Sequence, residues 1–218
     1  MFLKAQKHLR SYRGFTLTEI AIVLGVLGFI ISGIWSAVSG IYLKMDVNKT
    51  IKNMNQMQLS VKNFYAGRNP VELTENDRYV TYAIGSANYI PKDLTFIRGN
   101  PADEFSSMAQ ESALGRYYRI SVQSVGATLP ASYKIEAYGL SPAVCSHLAT
   151  QLVANRNNES WGIWIAGQLF YLQQISDGRP SNNPPTDEDI DRQCQVTNFP
   201  TCNGASCLIM GYFFESPN

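Results

Sequence analysis

Histidine is scarce in this chain, and so are catalytic motifs. Only His8 and His147 occur among 218 residues. The sequence has no nucleophile elbow (G-x-S-x-G), no phosphate-binding loop and no H-E-x-x-H metalloprotease motif. His147 falls in a predicted helix beside Cys145, where we interpret it as an exposed or hydrogen-bonded side chain rather than a base. The sequence therefore predicts neither enzyme activity nor a cofactor.

Charged residues are missing from a long segment near the start of the chain. No Asp, Glu, Lys, Arg or His occurs from Ile20 to Leu43. A helix of about 20 apolar residues is long enough to cross a bilayer. Glu19 directly precedes this segment, and a charge in a membrane helix costs about 2.5–3.5 kcal/mol, so it marks a functional site by default. The segment predicts a membrane-spanning helix with one functional carboxylate.

A cleavable secretory signal is a poor match to this segment. Such a signal has a shorter apolar core, which a small-residue cleavage site follows. The sequence after Leu43 has no A-x-A-like site. An ordinary signal anchor accounts for the basic residues before the span and for the span itself, but it does not account for the carboxylate of Glu19 shortly after Gly14.

The net charge of +1 hides an uneven distribution. Residues 1–14 contain four basic residues and no acidic one, and without them the chain has 14 basic and 17 acidic residues, a net charge of −3. The leader charges favour a cytoplasmic N-terminus by the positive-inside rule. The rest of the chain has no general basic character, and no nucleic acid partner is expected.

Gly14, Phe15, Thr16, Leu17 and Glu19, with the apolar run after them, closely resemble the N-terminus of type IV prepilins and pseudopilins. The resemblance implies that a prepilin peptidase cuts between Gly14 and Phe15, and that the same enzyme N-methylates Phe15. It also implies that Glu19, the fifth mature residue, is needed for assembly. The implied partners are membrane lipid before assembly, an assembly platform in the inner membrane and identical subunits in a helical homopolymer.

The resemblance implies a structural protein rather than an enzyme. The precursor is then a single-pass protein of the inner membrane. After processing, it becomes the subunit of an extracellular pilus (fimbrium) that serves adhesion, motility, conjugation or DNA transfer. Two related roles stay open at this stage, namely a minor pilin or tip adhesin, and a pseudopilin of a type II secretion system.

The spacing of apolar residues predicts an α+β fold in three parts. Residues 1–14 are the leader, 15–66 one long helix with 15–43 in the membrane, and 67–218 a globular head domain. The second half of the helix is predicted to be amphipathic. Its packed face has Ile41, Met45, Val47, Ile51, Met54, Met57, Val61, Phe64 and Tyr65, and its polar face has Asp46, Asn48, Lys49, Lys52, Asn53 and Lys62.

Alternating segments and apolar, aromatic segments of the head predict an antiparallel sheet packed on the long helix. The predicted strands are 116–124, 132–138, 161–165, 168–172 and 208–214, and the predicted helices are 100–114 and 142–155. Segments 88–94 and 133–145 resemble parts of type IVb pilins, including those of conjugative thin pili. In those proteins a strand leads into a helix that has the first cysteine of a C-terminal disulfide.

All four cysteines, Cys145, Cys194, Cys202 and Cys207, follow the predicted span. Cysteines on the exported side of a membrane form disulfides. Three pairings are possible. We expect Cys145–Cys194 with Cys202–Cys207, because 203–206 (NGAS) is a turn sequence that brings the second pair together. Zinc is the alternative, but histidine is scarce and no C-x-x-C spacing repeats, so no metal site is expected.

Asp187, Asp189 and Asp191 alternate, as the ligands of a calcium loop do. An EF-hand loop also needs Gly at its sixth position and Glu at its twelfth, and neither is present here. We therefore expect that Thr186 instead caps a short helix with acidic residues in its first turn.

Overall fold

A long helix and an antiparallel sheet make up the fold. The computed structural model describes residues 16–66, 80–99, 107–123, 132–155, 160–172, 184–195 and 208–215. The helices are α1 (Leu17–Tyr65), α2 (Val80–Ser86), α3 (Pro142–Ala154) and α4 (Asp187–Cys194). The strands are β1 (Thr95–Ile97), β2 (Met108–Glu111), β3 (Arg116–Gln123), β4 (Ser132–Leu140), β5 (Ser160–Ile165), β6 (Gln168–Tyr171) and β7 (Leu208–Glu215). The α+β fold predicted from the sequence is confirmed.

Helix α1 is 49 residues long and contains no proline, so nothing interrupts its backbone hydrogen bonds. The chain divides into two compact units, one up to Tyr42 and one from Leu43 onward. In the second unit, Val47, Met54, Met57 and Val61 are buried in the core, as their spacing predicts.

The predicted packed face of α1 is wrong at its first positions. Ile41 and Met45 are exposed, whereas Asn53, assigned to the polar face, is buried. The buried face of α1 thus also includes the polar residue Asn53, which donates hydrogen bonds to Glu111 and Tyr118 on the sheet.

The seven strands form one sheet in the order β1-β2-β3-β4-β7-β5-β6. Every neighbouring pair is antiparallel. Strand β7 is the last of the described elements along the chain, yet it lies between β4 and β5. At Tyr212, for example, the backbone is opposite Ile135 on one side and Ile163 on the other.

The core lies on one face of this sheet, where α1, α2 and α3 cover it. Because side chains alternate along a strand, every second residue points into the core. The cluster includes Tyr118, Ile120, Ile135 and Ile163 from the strands and Met57, Ile84 and Leu148 from the helices.

The helix predicted over 100–114 is wrong where the structure describes this segment. Met108–Glu111 form strand β2, in which Ala109 and Glu111 point inward. Residues 112–115 then form the turn to β3, where Gly115 has a φ of +64°, a conformation that favours glycine. Proline and acidic residues near 101–104 favour a helix start, and this signal masks the short alternation after them.

The cap expected at Thr186 is confirmed. The Thr186 backbone N–H and hydroxyl donate to the Asp189 carboxylate at 3.2 and 2.7 Å, and the Thr186 hydroxyl oxygen accepts from the Asp189 N–H at 3.2 Å. This is a reciprocal capping box at the start of α4. The carboxylate of Asp191 accepts a hydrogen bond from Ser146. Two of the three alternating aspartates thus have protein partners, which argues against a calcium loop.

Candidate functional site

The first half of α1 is apolar on every side and exposed on every side. Consecutive residues such as Ile22, Val23 and Leu24 are all exposed, and Phe29 and Trp35 are 87% and 74% exposed. Within the described residues, α1 is the one helix long and apolar enough to cross a membrane, judged by length and composition. A helix that is apolar all round is normally buried in other protein or in lipid. This half of α1 therefore needs a surrounding that the isolated chain does not provide.

Glu19 lies in the first turn of this apolar helix and caps it. The Thr16 backbone N–H and hydroxyl each donate to Glu19 Oε2 at 2.9 Å, and the Glu19 N–H donates to the Thr16 hydroxyl oxygen at 3.3 Å. Thr16 and Glu19 thus form a capping box, which satisfies backbone donors that a helix start leaves open. The capping role of Glu19 was not predicted from the sequence, although the spacing T-x-x-E is typical of a capping box. Gly14 and Phe15, the expected cleavage site, lie outside the described residues.

A second group of polar residues joins α1 to strands β2 and β3, and we call it the polar seam. It consists of Asp46, Lys49, Thr50 and Asn53 on α1, and of Glu111, Arg116 and Tyr118 on the strands. The Arg116 side chain is only 4% exposed, and its two terminal nitrogens each lie 2.6 Å from an oxygen of Asp46. Arg116 also donates to the Thr50 hydroxyl. Of these two contacts, that of Nη2 with Oδ2 is a hydrogen bond, and that of Nη1 with Oδ1 is an ion pair alone.

Whereas Arg116 is the cation on the sheet side of the seam, Glu111 is the anion on that side. Its buried carboxylate pairs with Lys49 and accepts hydrogen bonds from Asn53 Nδ2 at 2.9 Å and from the Tyr118 hydroxyl at 3.2 Å. Burial raises the pKa of Tyr118 to about 12, so its hydroxyl stays protonated and remains a donor at physiological pH.

The two ion pairs between α1 and the sheet have opposite polarity, and together they favour one position of α1 along the sheet. At Asp46 the anion is on α1 and the cation on the sheet, while at Lys49 the cation is on α1 and the anion on the sheet. If α1 slid by one turn, Lys49 would approach Arg116, or Asp46 would approach Glu111. Both shifts bring like charges together in a buried site, which is costly. The seam therefore specifies the register of α1 against the sheet.

A third polar group lies on β3 and β4, on the sheet face opposite the core. Glu136 is buried there, with Arg119 Nε 2.7 Å from Oε2 and Lys134 Nζ 2.7 Å from Oε1. The Tyr138 hydroxyl donates to Oε2 at 3.0 Å. Burial opposes the charge of Glu136, but the two cations outweigh burial and hold its pKa below the usual 4.5.

This arrangement predicts a loss of stability in acid. Because the pKa of Glu136 is lower in the folded chain than in the unfolded one, its stabilising effect is complete above about pH 4.5 and falls as pH drops through the folded-state pKa. At neutral pH we expect Glu136→Gln to lower the free energy of unfolding by about 1–3 kcal/mol, because two partly buried cations lose their carboxylate.

Denaturant unfolding of both proteins across this pH range tests the expectation. The difference in free energy between wild type and Glu136→Gln should shrink as the solution becomes more acidic. A difference that stays constant from neutral to acidic pH would contradict a role for the ionised carboxylate.

A buried disulfide joins α3 to α4. Cys145 and Cys194 are bonded, with their Cα atoms 5.7 Å apart and a sequence separation of 49 residues. This is the first of the two pairs expected from the sequence. Cys202 and Cys207 lie outside the described residues, and their pairing stays a prediction.

Removal of this bond should destabilise the region around α4. We expect Cys194→Ser to lower the free energy of unfolding by about 2–4 kcal/mol, because the unfolded chain is no longer constrained by the link. Thermal unfolding of the oxidised wild type and the variant measures this effect. Peptide mapping without reductant checks both pairs, and four free thiols in protein from the cell surface would contradict the disulfide framework.

Comparison with known proteins supports the fold. No protein-family model and no curated protein sequence matches this chain. Its structure is similar to the crystal structure of a type IV b pilin from Salmonella typhi, with a TM-score of 0.50 and 16% sequence identity. The match covers 78% of this chain and 99% of the pilin. The chain therefore has a pilin-like fold.

Proposed function

We propose that this chain is the precursor of a type IV pilin-like structural subunit, which is held in the inner membrane and then polymerises into an extracellular filament. One observation carries the proposal. On a pilin-like fold, the first half of α1 is apolar and exposed on all sides, and its first turn has a single carboxylate, that of Glu19. The apolar surface of such a helix is removed from water by lipid before assembly and by identical helices after assembly.

The membrane stage uses the first unit of the chain. The basic leader keeps residues 1–14 on the cytoplasmic side, and α1 crosses the bilayer up to about Leu43. The head domain then folds on the exported side, where the Cys145–Cys194 disulfide is stable. An assembly platform in the inner membrane extracts the subunit from lipid.

Processing prepares the subunit for assembly. A prepilin peptidase cuts between Gly14 and Phe15 and N-methylates Phe15. The new amine lies near one end of an apolar helix, where a charge needs a partner. The carboxylate of Glu19 on a neighbouring subunit provides one and sets the axial position of the incoming chain.

Sister helices then replace lipid around α1. The glycines in the span, Gly25, Gly28, Gly33 and Gly40, have open space where a side chain would begin, with no atom within 4 Å. Small residues let membrane helices approach closely. They support a filament core of tightly packed α1 helices, with the head domains outside it.

Mass measurement of sheared surface filaments tests the proposal. The expected subunit begins at Phe15 and has one methyl group on its amine. A Gly14→Leu variant should remain uncut in the membrane, because a peptidase at the membrane face needs a small residue there. Gly25→Leu, inside the span, is the matched control and should be cut normally. A filament subunit that begins at Met1 or beyond Leu43 would contradict the proposal.

The amount of chain in those filaments separates the related roles. A major subunit is the main component of the sheared material. A chain that is cut after Gly14 but present only in traces is a minor pilin or a pseudopilin instead.

A further inference from the structure

Charge is unevenly distributed over the second unit of the chain, from Leu43 onward. Residues 43–66 and 80–99, which contain the later half of α1 with α2 and β1, have six basic and two acidic residues, a net charge of +4. Elements α3, β5, β6 and α4 have four acidic residues and one basic residue, all of them on α4, a net charge of −3. The described part of this unit thus has a basic side and an acidic side.

The basic side has three exposed lysines, Lys44, Lys52 and Lys92, which we call the basic face. Lys52 Nζ lies 2.8 Å from Asp93 Oδ2, and both side chains are more than half exposed. Such a surface pair contributes little to stability, so Lys52 can exchange its partner at low cost. Within the described residues, Lys44 and Lys92 have no acidic partner.

The acidic side has Asp187 and Glu188, which we call the acidic face. Both are exposed in the first turn of α4, and neither has a basic partner in the part of the chain that the structure describes. Asp189, by contrast, pairs with Arg192. The disulfide between α3 and α4 holds this helix in place, so the acidic face has a fixed position on the unit.

The two faces lie too far apart to neutralise one another within one subunit. The basic face is at the β1 end of the sheet, since Lys52 pairs with Asp93, just before β1. Helix α4 packs against β5, which is five strands from β1 in the order β1-β2-β3-β4-β7-β5-β6. At about 4.8 Å per strand this separation is about 24 Å, well beyond the screening length of about 8 Å at physiological ionic strength.

We propose that the acidic face of one subunit contacts the basic face of the next, so that the partner of both faces is a second copy of this chain. The inference rests on the proposed function, because it describes a contact within the filament. A contact between two different faces repeats head to tail and builds an open filament unless the rotation closes a ring. Complementary charges fix the orientation of partners more than their affinity, so the α1 helices hold the filament together and the two faces orient each new head.

Charge reversal in the full chain tests this contact. We expect Asp187→Lys with Glu188→Lys to lower the amount of chain in sheared filaments at least about fivefold, because like charges then meet. Lys52→Glu with Lys92→Glu should have the same effect. All four changes together restore opposite charges and should recover most of the yield. Arg192→Gln is the matched control, since it lies on the same helix but leaves α4 more negative, and it should leave the yield unchanged.

The amount of chain cut after Gly14 and the Cys145–Cys194 disulfide are measured in membranes for every variant, which separates lost contact from failed processing or folding. If the wild type forms no filaments, the proposed function itself fails. If it forms them and either reversal leaves the yield unchanged, or the combined variant is not restored, the contact is wrong while the proposed function stands. A loss in the basic-face variant alone would assign that face to another partner, for example anionic lipid.

Cross-linking of wild-type filaments tests the contact without any substitution. A carbodiimide joins a carboxylate to an amine only where the two groups touch. The expected product links a peptide of the acidic face to a peptide of the basic face, and it must join two subunits because the faces lie about 24 Å apart in one. Filaments in which other carboxylates and lysines become linked, but never these two faces, would overturn the proposal.

Discussion

Glu19→Val is expected to abolish filaments while the subunit still enters the membrane and is still cut after Gly14. Insertion becomes easier without the charge, since a carboxylate in a membrane helix costs about 2.5 kcal/mol or more. Assembly loses the partner of the Phe15 amine, and an unpaired charge is left among packed helices. The measurement compares processed subunit in membranes with subunit in sheared filaments, in cells that have the variant alone.

The capping box at Thr16 makes a second variant necessary. Valine removes both the charge of Glu19 and its hydrogen bonds to Thr16, whereas glutamine keeps the capping geometry and removes only the charge. We therefore expect Glu19→Gln to fail in assembly as well. Normal filaments from Glu19→Gln, with none from Glu19→Val, would show that capping is the important task. Normal filaments from both would contradict an assembly role and favour a minor or terminal subunit.

Arg116→Met is expected to lower the free energy of unfolding by about 3–5 kcal/mol, because it leaves one half of a buried ion pair without its partner. The Asp46 side chain keeps 24% of its exposure, which favours the lower end of that range. The loss also removes the donor to Thr50 and loosens α1 on the sheet. Filament yield should therefore fall at an unchanged level of processed subunit.

Two further variants distinguish the loss of the ion pair in the seam from the loss of a charge at the surface. Arg192 pairs with Asp189 on the surface, so Arg192→Met should cost at most about 1 kcal/mol. In a double variant, Asp46→Leu with Arg116→Met, the buried charge disappears together with its partner and much of the lost stability should return. Unfolding in denaturant measures all three. Equal losses for Arg116→Met and Arg192→Met would contradict the seam.

The sequence predicts the elements of this fold better than their contacts. Strands β3 and β4 alternate, β5 to β7 are rich in apolar and aromatic residues, and α3 and α4 have recognisable starts at Pro142 and Thr186, so local patterns are enough to place them. Strand β2 is only four residues long, too short for alternation to outweigh nearby helix signals. The order of strands in the sheet depends on pairing between distant segments, which no local pattern contains.

In the candidate site, too, the sequence predicts some residues and not others. Glu19 is recognisable because a carboxylate is rare beside an apolar span, and the partner of Cys145 is one of three possibilities. The polar seam could not be predicted from the sequence. Asp46, Lys49 and Asn53 have the pattern of a solvent-exposed helix face, and their partners Glu111 and Arg116 lie on distant strands. Charged residues are mostly exposed, so the usual rule assigns them to solvent, and only tertiary partners reverse it.

The central place of β7 determines when the head can be completed during synthesis. A polypeptide leaves the ribosome, or a translocation channel, beginning with its N-terminal end. Until residues 208–215 arrive, β1–β4 and β5–β6 are separate pieces, each with an open edge at which another chain can add. The Cys145–Cys194 link can close during this wait, since both cysteines precede β7, but the sheet cannot. Completion needs pairing between distant segments, which is slow, so the edges of β4 and β5 stay open in the newly made chain until β7 pairs with both.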